Sequence, residues 1–513
     1  MAKTTSDIVT ISRNLKFMAA NRLISLLVSF IIFPFIVRYT GQEIYGVYLI
    51  VITLTGYFGL LDFGVMSALT KYVSEYKGKG DRIKINNVIN ASFTFYALVG
   101  VVACISLFIM SRYLNSFFQM KPQEAAIANN LVTAASLFSL LIWPLSTFRG
   151  ALEGLNLWNL EAAVNSVIQV TTAILAYIIF SCGYDIVLFF IATQSCVVAG
   201  NMVFLFIAKK ETDFRLKFPF LDSMTFKRIF RFSIFMFLSS LVNIFLFQIH
   251  NLIIGFFLSM SAVTIYSVAH NLQNYFRYIN STLGGPPWTV ASEMEGRKDY
   301  NGQRLLLMKG TKYLTALFIP AVIIMIFYAD PFIRYWMGPG FEESILPARI
   351  VITFWLFNGT IELAVGMLSA KGVVKESLYI QIIIAISNIL ISLLLIKVIG
   401  ITAIALGITL SMIVIGVPLY LRLSLSTLEL KFAEYFQKSI KKNLATYFLA
   451  TTLSLASMIY FYPRDLFITI LEISAIYFLS LSFHYLFVLD KEEKMEIIKI
   501  SGLKTLKGLM EKT

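Results

Sequence analysis

About fourteen apolar stretches, each of roughly 20 residues, follow one another along this chain. No water is available in the hydrocarbon core of a bilayer to bond backbone N–H and C=O groups, so only helices and closed barrels can cross it. A helix needs about 20 apolar residues to do so. The chain is therefore predicted to be an all-α, polytopic integral membrane protein with about 14 transmembrane helices.

Short polar connections separate the predicted spans. The spans cover residues 15–37, 44–65, 88–111, 127–148, 162–181, 186–208, 229–258, 262–283, 305–328, 346–370, 378–398, 402–421, 443–460 and 466–489.

The composition excludes several classes of function. Of 513 residues, 58% are hydrophobic and 14% charged, which leaves no sizeable water-soluble domain. The formal charge of +14 is explained by basic residues on cytoplasmic connections, so no nucleic acid is predicted as a partner. The three cysteines have no metal-ligand spacing, and no metal site is expected.

Lysine and arginine indicate the orientation. Most of the 43 basic residues lie at the N-terminus, on the even-numbered connections and on the C-terminal tail. The positive-inside rule therefore places both termini in the cytoplasm, and we expect a multi-pass protein of a bacterial or archaeal cytoplasmic membrane.

Catalysis is not predicted. The longest outside connections, residues 112–126 and 329–345, are too short to form the platform that a membrane glycosyltransferase needs. The chain has no P-loop and no Ser, His and Asp constellation. We therefore expect neither an enzyme nor an ATP-driven pump, and no cofactor.

An internal repeat divides the chain. At an offset of roughly 215 to 221 residues, Tyr45 matches Tyr266, Gly154 matches Gly372, and KGKGDR matches residues 295–304. Gly183 and Gly400 form a fourth pair. Six helices separate the repeats, so the two lobes should be related by a pseudo-two-fold axis along the membrane normal. The predicted domains are an N-lobe (1–228), a C-lobe (229–441), and two extra helices with a cytoplasmic tail (442–513).

Several strings together carry a family resemblance: RYTGQEIYGVY, LLDFGVMSAL, FRGALEGLNLWN, GPPWTVASEMEGRKD and IRYWMGPGF. In this order they resemble the polysaccharide-transport branch of the multidrug/oligosaccharidyl-lipid/polysaccharide exporter superfamily, with its Wzx-type O-antigen flippases. The resemblance implies two lobes that open alternately to each side of the membrane. They would move an undecaprenyl diphosphate-linked oligosaccharide to the outer leaflet for O-antigen, capsule or exopolysaccharide synthesis. The implied partners are this lipid-linked oligosaccharide, membrane lipids, and a polysaccharide polymerase or chain-length machinery.

Charged residues inside spans are costly and therefore mark candidate sites. Arg22 lies in the first span and Arg277 near the inner end of the eighth, one from each lobe. Both are at the depth where a lipid diphosphate would enter, and arginine forms paired charged hydrogen bonds with phosphate. Snorkelling of each side chain to the lipid headgroups is the alternative.

Arg349 and Glu362 share the tenth span. Arg349 is a further substrate-binding candidate. Glu362 is a candidate for ion coupling or gating, because a carboxylate at mid-depth can take a proton or sodium ion. The alternative role is a static ion pair that holds helices together. Asp62 is the second gating candidate, with capping of a loop as its alternative.

Gln248, His250 and Asn251 cluster in the outer half of the seventh span and could contact sugar hydroxyls. Hydrogen bonding between helices explains them as readily. Coupling to a H⁺ or Na⁺ gradient or to the membrane potential is open. Two other functions remain: a cation-coupled multidrug exporter of the same superfamily, and a non-transporting scaffold for envelope assembly.

Overall fold

The computed structural model describes residues 2–218, 222 and 249–495, and it is helical with no strand in these ranges. For residues 2–16, 285, 286, 288 and 289 it describes the backbone alone. Most of the predicted seventh span, residues 229–248, lies outside the described residues.

Seventeen α-helices form the described part of the chain, with 3₁₀ and π turns between or within them. They are α1 Ala2–Tyr57, α2 Val65–Gly78, α3 Arg82–Ser111, α4 Leu114–Phe118, α5 Pro122–Gly154, α6 Trp158–Ser181, α7 Ile186–Thr212, α8 His250–Phe257, α9 Met260–Gly296, α10 Tyr300–Met337, α11 Ile345–Ala370, α12 Val374–Ile399, α13 Thr402–Leu410, α14 Val417–Thr427, α15 Phe432–Ser439, α16 Leu444–Tyr460 and α17 Leu466–Phe483.

The predicted class is confirmed: ten helical segments within the described ranges are long and apolar enough to cross a membrane. The architecture is consistent with fourteen spans. The first two predicted spans lie in one such segment, Phe17–Asp62, and α16 has 17 residues.

Gly41 separates the first two predicted spans. It lies inside α1 with φ 78° and ψ 165°, a conformation outside the helical region that glycine adopts without steric cost. The connection between these spans is therefore a single kink and not a loop. On the other side, the segment KYVSEYKGKG, predicted as a polar connection, is largely the helix α2.

The chain forms two compact units, Met1–Thr264 and Ile265–Thr513. In the first unit, buried residues of α2, α3, α5 and α7, including Val73, Ile89, Phe148 and Phe204, form one core cluster. In the second unit, α10 packs against α11, α16 and α17. The predicted domain limits of 228 and 441 stay a prediction.

The two units repeat the positions at which helices end. Five left-handed residues of the first unit recur 216 to 219 residues later in the second: Gly80 and Lys298, Gln119 and Gly338, Asn156 and Gly372, Gly183 and Gly400, and Asp213 and Glu429. Such residues commonly terminate helices, so these helix ends follow the internal repeat. The sequence match of Gly154 with Gly372 is shifted by two residues, because Asn156 holds the matching conformation.

An ion pair also recurs in each unit. Arg82 Nη1 lies 2.9 Å from Asp213 Oδ2 in the first unit, and Arg304 Nη2 lies 2.5 Å from Glu429 Oε2 in the second. Each pair joins the start of a long helix to the turn that ends the sixth span of its repeat. The repeat therefore extends to side-chain contacts that no sequence match had indicated.

The helices after the matching turns begin with equivalent caps. Asp81 accepts a hydrogen bond from the Lys84 backbone N–H at the start of α3, and Asp299 accepts one from Gly302 N–H at the start of α10. The Lys84 side chain also bonds Asp81 and holds the pKa of that carboxyl below its usual range. The match of KGKGDR with residues 295–304 thus corresponds to two capped helix starts.

The last two helices are fixed to α10 by polar contacts. Near one end, Lys312 forms a buried ion pair with Glu493, and Asn443 Nδ2 donates to Lys312 O at 2.8 Å. Near the other end, Tyr328 Oη donates to Glu472 Oε2 at 2.7 Å. These contacts explain why helices outside the repeat belong to the second unit.

Removing the charge of Lys312 should destabilise the protein strongly. The side chains of Lys312 and Glu493 are only 4% and 10% exposed, so Lys312→Met leaves a buried, unpaired carboxylate. A buried pair that loses one partner costs about 3–5 kcal/mol of unfolding free energy. Thermal unfolding of the purified protein in detergent should show a clear decrease in Tm, partly recovered by adding Glu493→Gln.

Lys442→Met provides the matched control. Lys442 Nζ lies 3.6 Å from Asp490 Oδ2, and both side chains are about half exposed. An exposed pair contributes little, so the Tm should change little. Equal shifts for the two lysine variants would contradict the role of the buried pair.

Candidate functional site

One face of α1 is polar and the opposite face is apolar. At 100° per residue, Asn21, Ser25 and Ser29 share a face, with Arg22 beside them. The opposite face carries exposed apolar side chains, each just over 60% exposed: Leu23, Leu27 and Ile31. Since exposed apolar side chains of a spanning helix face lipid, the polar face of α1 is turned away from lipid.

Helix α6 has the same amphipathic pattern. Glu161, Asn165 and Gln169 recur every four residues on one face. Val167 and Ile174 lie on the opposite face and are exposed. The two polar faces meet, because α1 and α6 pack along their lengths.

Four side chains link the two polar faces, and we call them the ladder: Asn21 and Ser25 of α1, and Ser166 and Gln169 of α6. Ser166 Oγ donates to Asn21 Oδ1 at 2.9 Å, and Ser25 Oγ donates to Gln169 Oε1 at 2.7 Å. Gln169 Nε2 reaches Asn21 Oδ1 at 3.4 Å. All four side chains are half-buried.

Charged groups continue the polar face of α6 toward the start of that helix. Asn165 Nδ2 donates to Glu161 Oε1 at 2.5 Å. Arg149 Nε lies 3.1 Å from Glu161 Oε1 and 3.2 Å from Glu153 Oε1. The FRGALEGLNLWN segment thus supplies Arg149 and Glu153, and Glu161 follows it at the start of α6, so that one arginine is shared by two carboxylates.

Arg22 is exposed and lies directly beside the ladder on the polar face of α1. Arg277 is half-buried on α9, and its guanidinium lies 5.8 Å from the centroid of the Tyr278 ring. Each compact unit therefore supplies one of the two predicted phosphate-binding arginines. Their role in substrate binding stays a prediction.

Glu362 of α11 is bonded to amides in the described part of the chain, and to no arginine there. Its carboxylate is hydrogen bonded to the side chains of Asn280 and Asn358. Helix α9 comes very close, since a Cβ built on Gly284 would lie 2.8 Å from Glu362 Cγ. Among the described residues, the buried Asn280 Oδ1 has no hydrogen-bond partner. The Glu362 carboxylate thus lies between α9 and α11 and accepts from amide N–H groups of both helices.

Arg349 lies at the other end of α11. It is 13 residues from Glu362, about 20 Å along the helix axis. Its Nε donates to the Ile326 carbonyl oxygen of α10 at 3.3 Å. The described contacts do not bring Arg349 and Glu362 together, and a static ion pair between them is not observed.

Asp62 makes the hydrogen bonds of a helix cap. Its carboxylate accepts from Gly64 N–H at 3.2 Å and from Met66 N–H at 3.1 Å at the start of α2. It also accepts from the buried hydroxyl of Tyr96. These contacts agree with the capping alternative, and gating by Asp62 stays a prediction.

The predicted sugar contacts near the end of the seventh span are partly described. Gln248 lies outside the described residues. His250 is 2% exposed, and Asn251 Nδ2 donates to Thr53 Oγ1 of α1 at 2.9 Å. In this conformation both described residues serve packing between helices, so a sugar contact from them stays a prediction.

Asn251 belongs to a closely packed seam, formed by residues 42–53 of α1 and 251–264 of α8 and α9. Ser261 Oγ donates to Gln42 Oε1 at 2.7 Å. A Cβ on Gly46 would lie 1.9 Å from Met260 O, so only glycine fits there. The seam joins the second span of one repeat to the seventh and eighth spans within the first compact unit.

Several residues of this site escaped the sequence predictions, although their spacing held a signal. Asn21, Ser25 and Ser29 recur every four residues in an apolar span, as do Glu161, Asn165 and Gln169. The predicted site consisted of charged residues inside spans and the cluster at residues 248, 250 and 251, and the polar pattern of α1 and α6 was not part of it. Within the described part of the chain, no group of three His, Cys, Asp or Glu side chains could hold a metal ion.

Comparisons with known proteins agree with this architecture. Residues 35–346 match the family described as "Polysaccharide biosynthesis protein". A Shigella flexneri protein named as an O-antigen transporter is 22% identical over 350 residues, which cover 66% of this chain and 79% of that protein.

Two solved structures share the fold. The lipid II flippase MurJ in an inward closed conformation has a TM-score of 0.69 at 18% identity and covers 91% of this chain and 98% of its own. An inward-facing multidrug resistance MATE family transporter of the MOP superfamily has a TM-score of 0.65 at 15% identity, with coverages of 80% and 99%.

The family match spans more than half of the chain, and the fold likeness covers most of it. The predicted family resemblance is confirmed: this chain belongs to the family described as "Polysaccharide biosynthesis protein".

Proposed function

We propose that this protein is a flippase. It moves a polyprenyl diphosphate-linked oligosaccharide, with undecaprenyl as the lipid, from the cytoplasmic to the outer leaflet by alternating access. It acts in O-antigen, capsule or exopolysaccharide synthesis and catalyses no chemical reaction. The membrane is the bacterial or archaeal cytoplasmic membrane, with both termini in the cytoplasm.

The observation that carries this proposal is the position of Arg22. It lies on a polar face turned away from lipid, where a charge can meet a polar substrate and not the bilayer. Arg277 in the second unit adds another guanidinium. Both are predicted phosphate ligands, since guanidinium binds phosphate oxygens in pairs.

Coupling is part of the proposal. Exporting two negative charges from an inside-negative cell releases ~2.3 kcal/mol per charge per 100 mV, so the membrane potential favours export. Glu362, a carboxylate within a span that is bonded to two amides, would in addition bind and release H⁺ or Na⁺. Among the solved structures, the likeness to a multidrug MATE transporter keeps a cation-coupled drug exporter as the second candidate.

Substituting the two arginines separates these functions. For Arg22→Ala and Arg277→Ala we expect at least a 10-fold loss of export with normal membrane insertion, because each arginine provides charged hydrogen bonds to phosphate. Lysine at either position should restore export in part, as a point charge without the paired geometry. Display of repeat units at the cell surface, in a strain lacking its own flippase, gives the measurement.

Arg112→Ala is the matched control, an exposed arginine after α3 that should not affect export. Export at wild-type rates by both alanine variants would exclude the phosphate role. If the alanine variants display repeat units normally but lose drug resistance, the cation-coupled drug exporter is favoured.

Opening of the seam tests alternating access. Thr53→Cys and Asn251→Cys place two thiols where the native side chains are 2.9 Å apart. If the seam must open in each cycle, a short bismaleimide or oxidative cross-link should abolish export, and reduction of the disulfide should restore it. Each single variant, treated in the same way, should stay active. A cross-linked protein that exports normally would rule out opening at the seam.

Orientation has a separate test, in a background without Cys104, Cys182 and Cys196. Lys79→Cys should react with an impermeant thiol reagent only in inside-out vesicles, and Glu343→Cys only in intact cells, because both positions are exposed on opposite predicted sides. The reverse labelling pattern would invert the topology.

A further inference from the structure

The ladder between α1 and α6 has hydrogen-bonding capacity left over. Asn21 Oδ1 accepts two bonds, while no described residue accepts from Asn21 Nδ2. Gln169 uses its oxygen for Ser25 and one N–H for Asn21. An amide offers two donors and two lone pairs, so both side chains can bind a further group.

The ladder differs from the polar contacts that only hold helices together in this protein. Asn443 is fully buried and bonds both Lys312 O and Thr315 Oγ1. Asn90 is 1% exposed and bonds Arg215 O. The four ladder side chains, by contrast, are half-buried. Accessible amides are not needed to join two helices.

The accessible part of the ladder faces away from lipid. On α1 and on α6, the strongly exposed apolar residues lie on the opposite side of the helix, Leu27 and Val167 among them. The exposed portions of Asn21 and Gln169 are therefore available to a polar solute and not to acyl chains.

The chemistry of the ladder selects a neutral ligand with both donors and acceptors. None of the four side chains is charged. The nearest described carboxylates in the polar face, those of Glu153 and Glu161, are paired with Arg149. Sugar hydroxyls both donate and accept, which matches amide and hydroxyl side chains.

The distance to Arg22 agrees with the order of groups in the proposed substrate. Arg22 follows Asn21 directly, and Ser25 lies three residues beyond Arg22, about 4.5 Å along the axis. In a lipid-linked oligosaccharide the first sugar is bonded directly to the diphosphate. A phosphate held by Arg22 would therefore place the first sugars next to the ladder.

We propose that the ladder of Asn21, Ser25, Ser166 and Gln169 is the sugar-binding subsite, which recognises the hydroxyls of the phosphate-proximal sugars. This inference rests on the proposed function. It assigns sugar recognition to α1 and α6 in place of the predicted contacts at His250 and Asn251.

Binding of two lipids to the purified protein in nanodiscs tests the inference. The two probes are undecaprenyl diphosphate and the same lipid carrying an oligosaccharide repeat unit. Native mass spectrometry measures the binding of each. The wild-type protein should prefer the sugar-bearing lipid. Gln169→Leu and Asn21→Leu should each reduce that preference about 3- to 10-fold, because each variant loses one or two hydrogen bonds to the sugar. Binding of the bare lipid should not change.

Matched variants complete the design. Thr171→Val removes a hydroxyl from the other side of α6, beside Cys196 and Gly200, and should change neither affinity. Ser25→Thr keeps the hydroxyl and should keep the preference. If a leucine variant fails to insert into the membrane, Ser166→Ala is the smaller change with which to measure the preference for the sugar-bearing lipid.

The results distinguish this inference from the proposed function. Equal weakening of both lipids by Gln169→Leu would mean that the ladder only joins helices, and would overturn the inference. A wild-type protein that binds both lipids equally would also overturn it, while the flippase proposal would stand. Binding of neither lipid by the wild-type protein would overturn both.

Discussion

A polar side chain on a membrane-spanning helix must be kept away from hydrocarbon, and the described structure is organised by that requirement. In the first unit, α1 and α6 turn their polar faces toward each other and expose leucine, isoleucine and valine on the opposite faces. In the second unit, Glu362 is bonded to the amides of Asn280 and Asn358. The same constraint fixes α16 and α17 on α10, where Lys312, Glu472 and Glu493 find partners.

Meeting this constraint also separates residues that stabilise from residues that remain accessible. Lys312 and Asn443 are buried and bonded to neighbouring helices, and they serve as attachment points. The ladder is half-buried and keeps amide groups without a partner among the described residues, and Arg22 beside it is exposed. A transporter needs both kinds, because its substrate must compete only for groups that the fold has not already used.

The internal repeat connects sequence with architecture. Asp81 and Asp299 cap equivalent helices, and Asp213 and Glu429 end equivalent helices while pairing with Arg82 and Arg304. Identical residues are rare between the repeats, yet turn geometry and charge sign are kept. Helix ends tolerate several residue types in a left-handed conformation, which explains why sequence comparison found the repeat only weakly.

Hydropathy alone determined the helical membrane class and most span positions, because the cost of an unpaired backbone group in lipid leaves no other fold for such stretches. Matching residues at a constant offset indicated the repeat. Single charges such as Arg22 and Glu362 could be located in the same way. Only the tertiary structure decided their partners. Asp62 caps α2, Asn251 bonds Thr53, and Asn21 meets Gln169 across 148 residues of chain. Partners of this kind depend on which helix faces come together, and helical periodicity gives the direction of a side chain on its own helix without identifying the neighbour it meets.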